Sequence, residues 1–158
     1  MPTRDDTAAT PASAPAGLTA SILGDDLSFL LARANALSLS AGNAALAVHD
    51  LKARSYAVLA AACATPPPSQ RELADFLRLD PSQVVSLVDQ LEQRGLVERR
   101  ADPQDRRANA VVATAAGEAL ARDAQQTARR AEEAVHGDLD PDERRTLMAL
   151  LRRLAFAS

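Results

Sequence analysis

Ser82, Gln83, Ser86 and Gln90 follow one another at spacings of one, three and four residues, so on a helix they crowd toward one face. Their hydroxyls and carboxamides donate and accept hydrogen bonds without net charge. That chemistry matches the edges of base pairs in a DNA major groove, where each pair presents its own pattern of donors and acceptors. Val85, Asp89 and Gln93 lie off the buried stripe with them, whereas Val84, Leu87, Val88 and Leu91 repeat at helical spacing and face a core. Charge is thin on this surface. Between positions 79 and 95 the one base is Arg94, set against Asp80, Asp89 and Glu92, so attraction to phosphates has to come from a neighbouring element.

The elements that would hold this face are set by their punctuation. Ser69-Gln70-Arg71-Glu72 is a capping box: the Ser69 side chain accepts from the backbone amide three residues on, and Glu72 reaches back to the Ser69 amide. A helix is therefore predicted from Gln70 to near Leu79, with Leu73, Ala74, Phe76 and Leu77 inward and Arg71, Asp75 and Arg78 in water. Asp80-Pro81-Ser82-Gln83 repeats the device, with Asp80 as cap, Pro81 in the first helical position and Gln83 closing the box. The second helix stops at Gly95, which can take the left-handed conformation a helix end needs. Two caps this close demand a tight turn. Beyond it, residues 97–100 and 109–113 carry valines suited to strand pairing, and Ala101-Asp102-Pro103-Gln104-Asp105 supplies turn chemistry, so a hairpin is predicted. Arg99, Arg100, Arg106 and Arg107 cluster at its tip and base, within reach of phosphates or a narrow minor groove. The outline is a winged helix-turn-helix, and double-stranded DNA is the leading partner.

Here the chain resembles the multiple-antibiotic-resistance regulator (MarR) family of bacterial transcription factors. The resemblance rests on Leu73-Ala74, on the run Leu87-Val88-Asp89-Gln90-Leu91-Glu92-Gln93-Arg94-Gly95-Leu96-Val97-Glu98-Arg99, and on Asp102-Pro103-Gln104-Asp105-Arg106-Arg107. Thr114 and Gly117 resemble the start of the family's next helix. The resemblance implies that Ser82, Gln83, Ser86 and Gln90 face bases, with Ser69, Gln70, Arg99, Arg106 and Arg107 completing the DNA surface. It also implies that Asp89 holds Arg107 and so locks the wing. A small aromatic or amphipathic effector is implied too, bound between the dimer helices and the reading unit; Arg33, Asn35, His49 and Tyr56 are the candidates to touch it. Each has a plainer reading: Tyr56 in the core, His49 as a capping group, Arg33 and Asn35 as surface or dimer contacts. One departure stands out, because the reading face lacks the basic residue that many members place on it.

The flanks complete the architecture, which is mainly α. Residues 25–48 read as a helix with Gly42-Asn43 as the place for a break or kink, and their apolar residues spread over more than one face, so the helix needs two partners. Residues 51–62 read as a bridging helix ended by Pro66, Pro67 and Pro68. Thr114 caps a helix running to about His136, and Asp140 caps a last one carrying Leu147, Leu150, Leu151 and Leu154. The expected organisation is a disordered tail over 1–20 and a single domain over 21–158. Within that domain, dimerisation helices over 25–48 and 115–156 flank the winged helix-turn-helix over 51–113. Terminal helices with surplus apolar surface favour a homodimer, and a dimer favours a near-palindromic operator.

Composition narrows the function. The chain has 158 residues, 47% of them apolar, and a net charge of −3, enough for a packed core but without a broad positive field. Residues 52–107 hold nine bases (Lys52, Arg54, Arg71, Arg78, Arg94, Arg99, Arg100, Arg106, Arg107) against eight acids (Glu72, Asp75, Asp80, Asp89, Glu92, Glu98, Asp102, Asp105), so binding must lean on placed arginines. No membrane segment or signal core is evident, and a cytoplasmic location is expected. Cys63 is the only cysteine; no internal disulfide can form, and a small buried side chain is the reading preferred over a redox sensor. Two histidines, one cysteine without a placed base, and no phosphate-binding glycine loop or metal-ligand spacing exclude an enzyme, and no cofactor is expected. The reading is a sequence-specific DNA-binding regulator, a dimeric repressor answering to a small ligand. Its alternative is a winged-helix protein-interaction module that does not bind DNA.

Overall fold

The computed structural model describes residues 15–101 and 109–156, and the chain packs as two units, residues 1–37 and 38–158. In the first, α1 (Ala16–Thr19) is a single turn inside the tail expected over 1–20; residues 1–14 of that tail lie outside the described residues. A 3₁₀ turn follows at Ile22–Asp25, where the Ser21 hydroxyl accepts from the Leu23 amide at 3.3 Å. Next comes α2 (Leu27–Leu46), started by the Asp26 carboxylate, which accepts from the Phe29 amide at 2.7 Å. Leu27, Phe29, Leu30, Leu31 and Leu37 are exposed.

Helix α2 runs unbroken through Gly42-Asn43, the place noted for a break or kink. Asn43 is not a breaker here but a remote cap. Its Oδ1 accepts from the Ala53 amide at 2.8 Å, at the start of α3 (Ala53–Ala61), whose own cap residue Lys52 makes no side-chain cap bond. A 3₁₀ turn at Ala47–His49 joins the two helices and ends at Asp50 in the left-handed region, φ 52°.

The reading unit follows its caps. Helix α4 (Gln70–Leu77) has the complete Ser69–Glu72 capping box and closes at Arg78, φ 53°. Ser69→Ala is expected to lower stability by about 1 kcal/mol, the usual worth of such a cap, as read by urea unfolding. Helix α5 (Pro81–Gln93) starts at Asp80, but the second box does not close on Gln83. The Asp80 carboxylate is taken instead by the Ser82 amide at 2.8 Å and the Ser82 hydroxyl at 2.5 Å. Gly95 (φ 68°) turns the chain out of α5 as expected.

Strands β1 (Val97–Ala101) and β2 (Asn109–Ala113) pair antiparallel from Val97↔Ala113 to Ala101↔Asn109. The hairpin is stitched to the helices at its base: the Val111 amide donates to the Pro68 carbonyl at 2.8 Å and the Ala113 amide to the Ala62 carbonyl at 3.0 Å. Helix α6 (Ala115–Val135) begins under the Thr114 side chain, and α7 (Pro141–Ala155) under a complete Asp140–Glu143 box. Gly117 lies so close to the chain leaving α5 that a Cβ there would sit 1.9 Å from the Leu96 carbonyl oxygen.

One core joins the end of α2, helices α3 to α6 and the hairpin: Leu46, Leu51, Val58, Leu59, Leu73, Val84, Val88, Leu91, Val97, Val111 and Ala124 are all nearly inaccessible. Burial of each large aliphatic side chain contributes roughly 1.5–3 kcal/mol. Two expected core positions are elsewhere. Phe76 is 64% exposed and stacks on Phe156 with centroids 6.0 Å apart, because the inward stripe of this short helix is filled by Leu73 and Ala74. Cys63 is exposed, because α3 ends at Ala61 and Ala62 takes the core place; the thiol donates to the Leu59 carbonyl at 3.4 Å. Among the described residues no helix is long and apolar enough to cross a membrane.

Candidate nucleic-acid interface

Helix α5 buries Val84, Val88 and Leu91 and leaves Ser82, Gln83, Ser86 and Gln90 exposed, with Val85 at 44% exposure among them. The Gln90 carboxamide donates to the Ser86 hydroxyl at 3.3 Å, so these two side chains present a linked pair of polar groups. At the other end, hydrogen bonds from the Ser82 hydroxyl and amide hold the Asp80 carboxyl below the usual carboxylate range. The start of α5 thus keeps its anionic cap in mildly acidic solution.

Other expected contact residues are engaged within the chain. The Ser69 hydroxyl serves the α4 cap, accepting from the Glu72 amide at 3.2 Å and donating to Glu72 Oε2 at 2.8 Å. Gln70 turns its carboxamide oxygen to Arg99 Nε at 3.1 Å, and its Nε2 is buried without an acceptor. Arg99 is only 21% exposed in its side chain; Nη2 donates to Asp89 Oδ1 at 2.5 Å and Nη1 to Glu92 Oε2. Its backbone amide also donates to Glu92 Oε1 at 3.1 Å. Burial works against the Arg99 charge, but the Asp89 hydrogen bond and the charges of Glu92 and Asp89 outweigh it and raise its pKa. Arg100 pairs with Glu98. Arg106 and Arg107, and with them the expected Asp89–Arg107 lock, lie outside the described residues. Among the described residues Asp89 is paired with Arg99.

Arg94, the one base between positions 79 and 95, is engaged within the chain. Its guanidinium donates to the carbonyls of Asp50 at 2.6 Å and His49 at 3.1 Å, tying the end of α5 to the turn before α3. A cleft of about 880 Å³ opens there, and Leu39, Leu51, Leu87, Lys52, Arg54 and Gln90 are among its lining residues.

Arg33 and Asn35 are exposed on the part of α2 that belongs to the first unit. His49 Nε2 is 2.9 Å from Thr127 Oγ1 on α6. Tyr56 lines a second cleft of about 340 Å³ with Cys63, Glu118, Arg122 and Gln125. Burial pushes the Tyr56 phenol up, aided by Cys63. Burial also pushes the Cys63 thiol up, with Glu118 adding and Arg122 opposing, so the thiol stays protonated at neutral pH.

Sequence reasoning missed the part played by Glu92, which was counted only as a charge opposing DNA. The available signal was its spacing of three from Asp89, which places both carboxylates on one side of the helix, one turn apart.

The family model of the MarR family matches residues 49–108. A proposed transcriptional regulatory protein for the hcr operon of Thauera aromatica is 38% identical over 100 residues, which cover 63% of this chain and 60% of that protein. A MarR-family transcriptional regulator of Rhodococcus sp. RHA1 superposes with a TM-score of 0.82 at 39% identity, over 86% of this chain and 96% of its own. CouR of Rhodococcus jostii RHA1, solved bound to p-coumaroyl-CoA, does so with a TM-score of 0.77, at the same identity and coverage. The chain belongs to the MarR family of transcriptional regulators.

Proposed function

We propose that this chain is a sequence-specific regulator that binds double-stranded DNA through α5 and the hairpin, acts as a homodimeric repressor on a near-palindromic operator, and changes its DNA affinity on binding a small ligand. The exposed, uncharged polar face of α5 beside the β1–β2 hairpin carries this reading. Its groups suit base edges, and its helix is held by a closed core on the other side. The homodimer is supported by Leu147, Met148, Leu150, Leu151 and Leu154, all at least 37% exposed on α7, an apolar face that a second copy would cover. Two reading helices about 34–36 Å apart would then meet successive major grooves. Ligand control is supported by the two clefts and by the p-coumaroyl-CoA held by CouR.

Fluorescence anisotropy with fragments of the promoter of its own gene tests the reading. The expected result is binding that weakens as salt rises, from a species that sediments as a dimer, with affinity altered by p-coumaroyl-CoA. Absence of binding at low ionic strength overturns it. One observation favours a second reading, a winged-helix module that binds protein instead: Arg94, Arg99 and Arg100 are all engaged within the chain.

A further inference from the structure

We infer that Arg94 is a positioning residue: it fixes the end of the reading helix to the turn that follows α2, and thereby sets which spacing of operator half-sites a dimer accepts. The inference rests on the DNA-reading homodimer proposed above and concerns how its two reading helices are held apart.

The polar side chains of α5 divide by where they reach. Asp89 and Glu92 go to the hairpin, and the Gln90 carboxamide goes to Ser86 on α5 itself. Arg94, the cap residue at the end of α5, reaches outward instead. Its Nη1 donates to the Asp50 carbonyl at 2.6 Å and its Nη2 to the His49 carbonyl at 3.1 Å. Those carbonyls close the helical run of α2 and its 3₁₀ turn, where backbone oxygens lack amide partners and the helix dipole favours a cation. Among the described residues no backbone amide takes either one. The Asp50 carboxylate adds little, being 4.0 Å away and 95% exposed. Main chain, rather than an ion pair, holds Arg94.

The turn is held from its other side as well. His49 Nε2 lies 2.9 Å from Thr127 Oγ1 on α6, and the Thr127 hydroxyl already donates to the Asp123 carbonyl at 3.3 Å. Having a single hydrogen, that hydroxyl accepts from His49. Asp50 follows at φ 52°, a conformation that a non-glycine residue keeps only where its surroundings hold it. A chain of directed bonds therefore runs from the end of α5 through the turn to α6. Val84, Val88 and Leu91 seat α5 by a non-directional effect, and Arg94 supplies the bonds that fix where its end points. Since α6 is among the helices expected to carry the dimer, the chain leads from each reader to the frame that would pair two copies.

The test uses the full chain and the operator footprinted on the promoter of its own gene, alongside DNA with two base pairs inserted between the half-sites. At about 10.5 pairs per turn, the insertion rotates one half-site about 70° around the duplex. Wild type is expected to lose about 100-fold on the insertion, part of the way to non-specific binding. Arg94→Ala should bind the native operator about 10-fold more weakly, as for lost hydrogen bonds to a charged group, yet lose less than about 10-fold on the insertion. Poorer folding alone would lower both affinities together and leave their ratio unchanged. Thr127→Val removes the acceptor on α6 and should relax the spacing in the same direction. Arg94→Lys keeps the charge but not the planar fork and should resemble Arg94→Ala. Asp50→Asn keeps the carbonyl and should behave as wild type.

A spacing preference as sharp as wild type in Arg94→Ala or Thr127→Val, full activity of Arg94→Lys, or relaxed spacing in Asp50→Asn each overturns the inference. So does a fall of about 0.9 or more in the salt slope of Arg94→Ala, which would make Arg94 a phosphate contact. Hydrogen exchange on the free protein provides a readout that needs no DNA. The Asp50 and Leu51 amides, which donate to the Ala47 and Leu46 carbonyls, should exchange faster in Arg94→Ala and Thr127→Val, with α7 unchanged. Unchanged exchange at the turn overturns the inference. Failure of the wild-type chain to bind DNA, with faster exchange at the turn in the variants, overturns the DNA-reading proposal and the spacing claim with it, while leaving the grip of Arg94 on the turn standing.

Discussion

Gly117→Ala should destabilise the folded chain by about 3 kcal/mol or more, the upper range for forcing extra atoms into a packed site. The sign is the informative part. In an open helix the same change gains about 1 kcal/mol, because alanine is the better helix former. Here the new Cβ would lie 1.9 Å from the Leu96 carbonyl oxygen and 2.9 Å from its carbon. Those are backbone atoms, and the oxygen is held in place: it accepts from the Thr114 amide at 3.0 Å and the Thr114 hydroxyl at 3.3 Å. Relief would require moving the start of α6 away from the end of the reading helix. Urea unfolding with the slope checked for constancy measures the effect. A variant as stable as wild type would show that the approach of α6 to Leu96 is looser than described.

Leu59→Ala is the second large expectation, a loss of about 2–5 kcal/mol. Leu59 is fully buried on α3, the helix that packs against both α5 and α6. Truncation leaves a void that neighbours in regular helices can fill only in part. The two changes make a useful pair, because Leu59 Cδ1 is also 3.3 Å from the Cβ that Gly117→Ala would add. If that side-chain contact were the main obstacle, Leu59→Ala would rescue Gly117→Ala. Since the closer contacts are backbone, the double variant is expected to lose nearly the sum of the two single losses. A double-mutant cycle decides between the outcomes.

The parts of this fold that could be read from sequence are those fixed within a few residues. The Ser69 box, the Asp80-Pro81 start, Gly95 as a stop and Thr114 and Asp140 as caps all act over one turn, and all stand where expected. The strands at 97–101 and 109–113 likewise carry their signal in their own valines and spacing. What was not legible depends on partners far along the chain. Asn43 reads as a helix breaker until Ala53, ten residues on, needs its oxygen. Arg99 reads as a free wing cation until α5 brings Asp89 and Glu92 beside it and α4 adds Gln70, twenty-nine residues earlier. Phe76 has helical spacing and still faces outward, since a helix of eight residues has room for a narrow buried stripe only. The candidate base-facing residues were legible because they are defined by what the core does not use. The effector candidates rest on the resemblance instead, because no local rule says which polar groups converge.

The exposed place of Cys63 has a practical consequence. It is the one sulfhydryl in the sequence, sits just past the end of α3, and has no competing thiol to be removed first. A nitroxide attached there in mildly alkaline buffer would mark every copy at a single known point. Pulsed electron resonance between the marks of an assembled pair would then give an intersubunit ruler, read with and without nucleic acid or candidate inducers.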